Sequence, residues 1–194
     1  SLQTNCYLLW NNSNAALVID PGDEGDSIIA LIDETGVQPI AVLLTHGHYD
    51  HIRAANQIAE FFKIPILIHP DEIEMAKNPN LNFSAFSDKP VCIEAEPLTQ
   101  KFLDKHKFPF KILHLPGHTP AGIGLVGDGI FISGDTVFAG GNCGRTDLPG
   151  GDSKALAQSI EKILELPDEL TLLAGHGGRA IVGREKPLWQ PLIK

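Results

Sequence analysis

Thr45-His46-Gly47-His48-Tyr49-Asp50-His51 grows out of the apolar run 40–45. That run reads as a strand buried on both faces. Four side chains of metal-ligand type, His46, His48, Asp50 and His51, fall within six residues. In an extended or turning segment, side chains at i and i+2 can point to one side. His46 and His48 can therefore grip one ion, while Asp50 and His51 reach a neighbouring one. Gly47 removes a side chain between the two histidines and permits a tight path. Neutral imidazole and carboxylate are ligands that zinc, iron and manganese all accept.

On either side of this segment strands and helices mix. Cys6–Trp10 and Ala15–Asp20 read as strands joined by the polar turn Asn11-Asn12-Ser13-Asn14. Ile28, Leu31 and Ile32 have helical spacing, and Gly36 is placed to end that helix. A helix from about Ile52 to Phe62 and a strand over Pro65–Ile68 follow the histidine segment. Asp71–Lys77 reads as helix and the stretch up to Lys89 as loop, with nothing assigned over 90–110. Lys111–Leu115, Gly122–Val126, Ile130–Ser133 and Leu170–Ala174 read as strands. Asp152 or Ser153 caps a helix that has Leu156, Ile160, Ile163 and Leu164 on one face. The mixture indicates α/β layers in a single domain spanning residues 1–194.

Three more polar motifs sit just past apolar strands: Pro116-Gly117-His118, Gly134-Asp135-Thr136 and Gly175-His176-Gly177. Strand ends converging on one edge build a site without using core positions. His118, Asp135 and His176 bring the donors to seven, a number that suits two metals sharing one carboxylate. His69, His106 and His114 lack such company and read as structural or surface groups.

Composition narrows the function classes. Hydrophobic residues make up 43% and charged residues 20%, which excludes a disordered chain. A formal net charge of −9 repels phosphate backbones and argues against nucleic acid as partner. No apolar run approaches the ~18 residues of a membrane span, and no signal-peptide pattern opens the sequence. Cys6, Cys92 and Cys143 are an odd, widely spaced set, which suggests a reducing compartment and a cytoplasmic protein. Cys143 as a nucleophile has no partner near it in sequence.

Taken in order, Thr45–His51, Leu115-Pro116-Gly117-His118-Thr119, Ser133-Gly134-Asp135-Thr136 and Ala174-Gly175-His176-Gly177 resemble the successive metal motifs of the metallo-β-lactamase fold. The resemblance covers essentially the whole chain. It is nearest to glyoxalase II-type hydrolases in their short, single-domain form, with the loop 140–152 as an added point of similarity. It implies a four-layer αββα sandwich. It also implies that His46, His48 and His118 hold a first metal, Asp50, His51 and His176 a second, and that Asp135 bridges both. Three departures stand out. The sequence stops short of the C-terminal helical extension of the two-domain enzymes. Gly178 occupies a position where those enzymes commonly carry Tyr. Their Cys-Gly-Lys-x-Tyr loop is here Cys143-Gly144-Arg145-Thr146-Asp147.

The resemblance implies a dinuclear metallohydrolase, with zinc foremost and iron or manganese as alternatives. A hydroxide bridging the metals would attack a carbonyl carbon, with Asp50 orienting it. A thioester suits such a site, because a thiol of pKa ~8.5 leaves without a strong general acid. The expected substrate is a hydroxyacylglutathione such as S-D-lactoylglutathione. Its carboxylates need a cation, for which Arg145 and Arg179 are the candidates. For Arg145 a local ion pair with Asp147 is the competing role, and for Arg179 a plain surface charge. A persulfide dioxygenase holding one iron on His46, His118 and Asp135 is the main alternative, although Gly175-His176-Gly177 has the hydrolase form. A non-catalytic metal-binding protein is a further one. Nothing in the sequence indicates an oligomeric state.

Overall fold

The computed structural model describes residues 3–193, which divide into two compact units with the boundary between Phe108 and Pro109. The first unit contains β1 (Tyr7–Trp10), β2 (Ala15–Ile19), α1 (Gly25–Thr35), β3 (Gln38–Leu43), α2 (Tyr49–Ile52), α3 (Ala55–Phe62), β4 (Ile66–Ile68), α4 (Ile73–Lys77), β5 (Glu96–Pro97) and α5 (Gln100–Lys105). Its sheet has the order β1-β2-β3-β4-β5, antiparallel between β1 and β2 and parallel from there on. Ala16–Ile19 and Ala41–Leu44 are fully buried, as continuous apolar runs in a parallel sheet should be. Ile29 and Ile32 of α1 and Ile58 of α3 pack with Val18 and Val42 in one core. Gly36 ends α1 in the left-handed conformation expected of it (φ +67°), its N–H capping the carbonyls of Ile32 and Asp33.

The second unit contains β6 (Lys111–His114), β7 (Ile123–Gly127), β8 (Ile130–Gly134), β9 (Val137–Phe138), β10 (Asn142–Cys143), α6 (Ser153–Leu164), β11 (Thr171–Ala174), β12 (Ala180–Ile181) and α7 (Val182–Trp189). Its main sheet has the order β12-β11-β8-β7-β6, with β8 and β11 parallel. Leu156, Ile160 and Ile163 of α6 pack with Phe131, Leu172 and Trp189. Asp152 is the cap of α6, accepting from the N–H groups of Lys154 and Ala155.

One element differs from the sequence expectation, and two form where none was assigned. The helix expected from Ile52 to Phe62 is two helices, broken at Arg53-Ala54. The N–H of Ala54 donates to the carbonyl of Pro21 (2.9 Å), a tertiary partner that periodicity does not register. Within 90–110, Thr99 caps α5 through its hydroxyl. Finally, α7 forms despite Pro187 inside it, anchored by the fully buried Trp189, whose Nε1 donates to the Phe138 carbonyl at 3.0 Å.

Candidate metal centre

In the first unit the donors emerge from adjacent parallel strands. Ile19 of β2 lies opposite Leu43 of β3, so Asp20 stands beside the Thr45-His46 segment. Asp20 is 2% exposed. Its carboxylate accepts hydrogen bonds from the Thr45 N–H (2.7 Å), the Thr45 hydroxyl (2.6 Å) and His51 Nδ1 (3.0 Å). Because the Thr45 hydroxyl gives its proton to Asp20, its oxygen is left to accept from His46 Nδ1 at 3.1 Å. Both imidazoles then carry their proton on Nδ1 and present Nε2 as a donor to a cation. The sequence reading did not single out Asp20. Its only signal was its place, directly after a fully buried strand.

The rings of His46 and His48 lie 4.9 Å apart, and those of His46 and His51 4.2 Å apart. Donor atoms of Asp20, His46 and His51 all fall within 4.8 Å of one another. The Nε2 atoms of His46, His48 and His51 are buried and make no hydrogen bond. Asp50 approaches His51 Nε2 to 3.7 Å and accepts from the Thr4 hydroxyl at 3.1 Å. Gly47 is required by packing as well as by path. A Cβ there would press on Met75 Cγ and on the Ala76 nitrogen, and the Gly47 N–H is held by the fully buried Glu72 carboxylate at 3.0 Å.

In the second unit the parallel register sets Ala174 of β11 opposite Gly134 of β8. Asp135 and His176 therefore leave neighbouring strand ends together. One Asp135 oxygen lies 3.3 Å from His176 Nε2 and 3.7 Å from His118 Nε2, so a single carboxylate serves two imidazoles on different loops. His118 Nδ1 donates to the Arg145 carbonyl at 2.7 Å, which puts its proton on Nδ1 and leaves Nε2 as the nitrogen able to bind a cation. A Cβ on Gly144 would run into the Asp135 carbonyl and crowd the His118 ring, so glycine is what lets this loop close on both residues.

Arg145 reaches the site through its carbonyl, while its guanidinium clasps Asp147 in a two-point pair of 2.7 and 2.6 Å. The hydrogen bond from Arg145 holds the Asp147 carboxyl down to about 2. The pair therefore forms above the usual carboxylate range and is lost only as pH falls through about 2. Both side chains are exposed, so salt screens the pair. Arg179 is exposed and lines a shallow pocket of about 370 Å³ together with Arg184. Burial pushes the Cys143 thiol up and the Cys6 thiol up to about 12, which suits neither to nucleophilic duty. His69 Nδ1 accepts from the Asp71 N–H, and His106 stacks on Phe102, consistent with structural roles.

Imidazoles, three of them held at Nδ1 from behind, together with nearby carboxylates form a donor set that fits borderline divalent cations. Residues 1–176 match the family model of the metallo-beta-lactamase superfamily. The chain belongs to this superfamily. It is 37% identical to the hydroxyacylglutathione hydrolase GloC of Haemophilus influenzae over 200 residues, covering 96% of this chain and 91% of that relative. The BLEG-1 B3 metallo-beta-lactamase superposes with a TM-score of 0.85 at 32% identity, covering 96% of this chain and 92% of the other. TTHA1623 in a di-iron-bound form superposes with a TM-score of 0.84 at 35% identity, covering 95% and 92%. The metallo-β-lactamase fold expected from the motifs is thus present, with two sheets flanked by helices. The protein is a metallohydrolase of this superfamily, with a His/Asp set for divalent metals. Among the described residues no helix is long and apolar enough to cross a membrane.

Proposed function

We propose that this superfamily member hydrolyses hydroxyacylglutathione thioesters, with S-D-lactoylglutathione as the type substrate. In this reading His46, His48 and His118 hold one metal, Asp50, His51 and His176 a second, and Asp135 is shared. In this reading residues 1–194 act as one catalytic domain. The observation that carries the reading is 37% identity to a hydroxyacylglutathione hydrolase in an alignment that covers 96% of the chain.

When bound, the metals, zinc foremost and iron or manganese as alternatives, supply Lewis acidity and a water of lowered pKa. The remaining work falls to residues of the chain. Asp50, steadied by the Thr4 hydroxyl, orients the attacking water and takes its proton at a carboxylate oxygen. Asp20 fixes the His51 ring directly and the His46 ring through Thr45. The Arg145 carbonyl fixes His118. Attack on the thioester carbonyl breaks the C–S bond, and the thiol half departs as a thiolate, which needs no strong acid at pKa ~8.5. An amide nitrogen would need one.

The test is thiol release from S-D-lactoylglutathione, run beside persulfide-dependent oxygen uptake, on wild type and His176→Ala. The hydrolase reading expects thiol release by the wild type. It expects His176→Ala to lose one metal and most turnover. Oxygen uptake by both proteins at one iron per chain would instead assign the persulfide dioxygenase.

Substrate grip gives a second expectation. Asp147 is ionised throughout the assay range, because its hydrogen bond from Arg145 holds the carboxyl down to about 2, so the pair competes with substrate for the guanidinium. Asp147→Asn should release the guanidinium for a substrate carboxylate. KM for S-D-lactoylglutathione should then fall about threefold, the order of one exposed ion pair, with kcat unchanged. KM for a thioester without carboxylates should stay put. Equal changes on both substrates would mean that the pair only shapes its loop.

A further inference from the structure

Phe83 has φ +67° and ψ 8°. For a bulky aromatic residue this left-handed conformation is an outlier, and it persists only where the surroundings over-determine it. Its neighbours supply that constraint. Asn82 is fully buried. Its amide donates to the carbonyls of Ala76 (3.1 Å) and Val91 (2.9 Å), and its Oδ1 accepts from the Ser84 N–H (2.9 Å). The fully buried Ser84 hydroxyl bonds both the N–H and the carbonyl of Val91. The backbone is thus pinned on both sides of Phe83. Glycine or asparagine would meet such a turn without strain, so the ring itself has to explain why phenylalanine stands there.

The ring of Phe83 packs on His48, with centroids 5.2 Å apart and planes at 58°. The same loop holds the residue after His48, since the Tyr49 N–H donates to the Asn82 carbonyl at 2.9 Å. We propose that Phe83 is a positioning residue for His48. Its ring sets the plane of the imidazole, and the strained backbone is what brings the ring there. This inference rests on the reading of His48 as a metal ligand.

The test compares wild type, Phe83→Gly, Phe83→Ala, Phe83→Trp and, as reference, His48→Ala. The readouts are metal affinity by competition with a chromophoric chelator, the visible spectrum of the cobalt-loaded protein, and melting temperature. Phe83→Gly and Phe83→Ala should each weaken metal binding about tenfold, the lower end for groups that orient a ligand, and should shift the cobalt bands. Phe83→Trp should retain both. The glycine variant should melt above the alanine variant, because only glycine relaxes the positive φ. It also keeps the test usable if the alanine variant fails to fold. Wild-type affinity and spectrum in Phe83→Gly, beside a loss in His48→Ala, would overturn the proposal and leave the ring as packing. Full affinity in His48→Ala would instead overturn the ligand assignment, and this inference with it.

Discussion

Asp135→Ala should lose both metals at stoichiometric loading and about 10³-fold in kcat/KM, the order that several kcal/mol of lost charge stabilisation implies. One Asp135 oxygen stands within 3.3 Å of His176 and 3.7 Å of His118. The loop itself should survive the change. The Ser133 hydroxyl donates to the Val137 carbonyl (2.8 Å), and the Thr136 N–H donates to the Ser133 carbonyl (3.2 Å). Neither bond uses the Asp135 side chain. Metal content by plasma mass spectrometry, set beside circular dichroism, separates loss of metal from loss of fold. Two bound metals and wild-type turnover in this variant would remove Asp135 from the centre.

Asp20→Asn should come next in size, although Asp20 is not one of the seven proposed ligands. The replacement keeps the volume, and its oxygen can still accept from the Thr45 N–H. Its NH₂ then faces the Thr45 hydroxyl and His51 Nδ1, both of which donate to the native carboxylate. His51 can answer only by moving its proton to Nε2, the atom proposed to bind metal. Metal affinity should fall about 10–100-fold, as it does when groups behind a ligand are changed. Two disrupted buried hydrogen bonds to a charged acceptor should cost about 3–6 kcal/mol, or roughly 6–24 °C in melting temperature for a chain of this size. Chelator competition and thermal melts check the two effects separately. Unchanged metal affinity would show that Asp20 serves stability alone.

Much of this architecture was legible because its signals are local. A continuous apolar run such as 40–45 can be satisfied only by burial on both faces, and β3 is buried from Ala41 to Leu43. The seven proposed donors stand out in sequence because they sit past strand ends, although β6, which precedes His118, is only partly buried. What stayed hidden depends on partners far along the chain. Ala54 interrupts a helical pattern because Pro21 takes its N–H. The anchor of α7, a helix with Pro187 inside it, is Trp189 against Phe138, 51 residues away. Asp20 looked like an ordinary strand-ending carboxylate until its three donors were seen. For Arg145 the sequence left open a substrate anchor or an ion pair with Asp147. The structure contains the ion pair and adds a role for the carbonyl behind His118 that no side-chain pattern could announce.

The most direct test of the proposed dinuclear thioester hydrolase is a metal titration of the stripped protein, with thiol release from S-D-lactoylglutathione followed at each step. The account predicts activity that climbs to a plateau at two metals per chain, with little turnover at one. A plateau at one metal per chain, or a fully loaded protein that leaves the thioester intact, would contradict it.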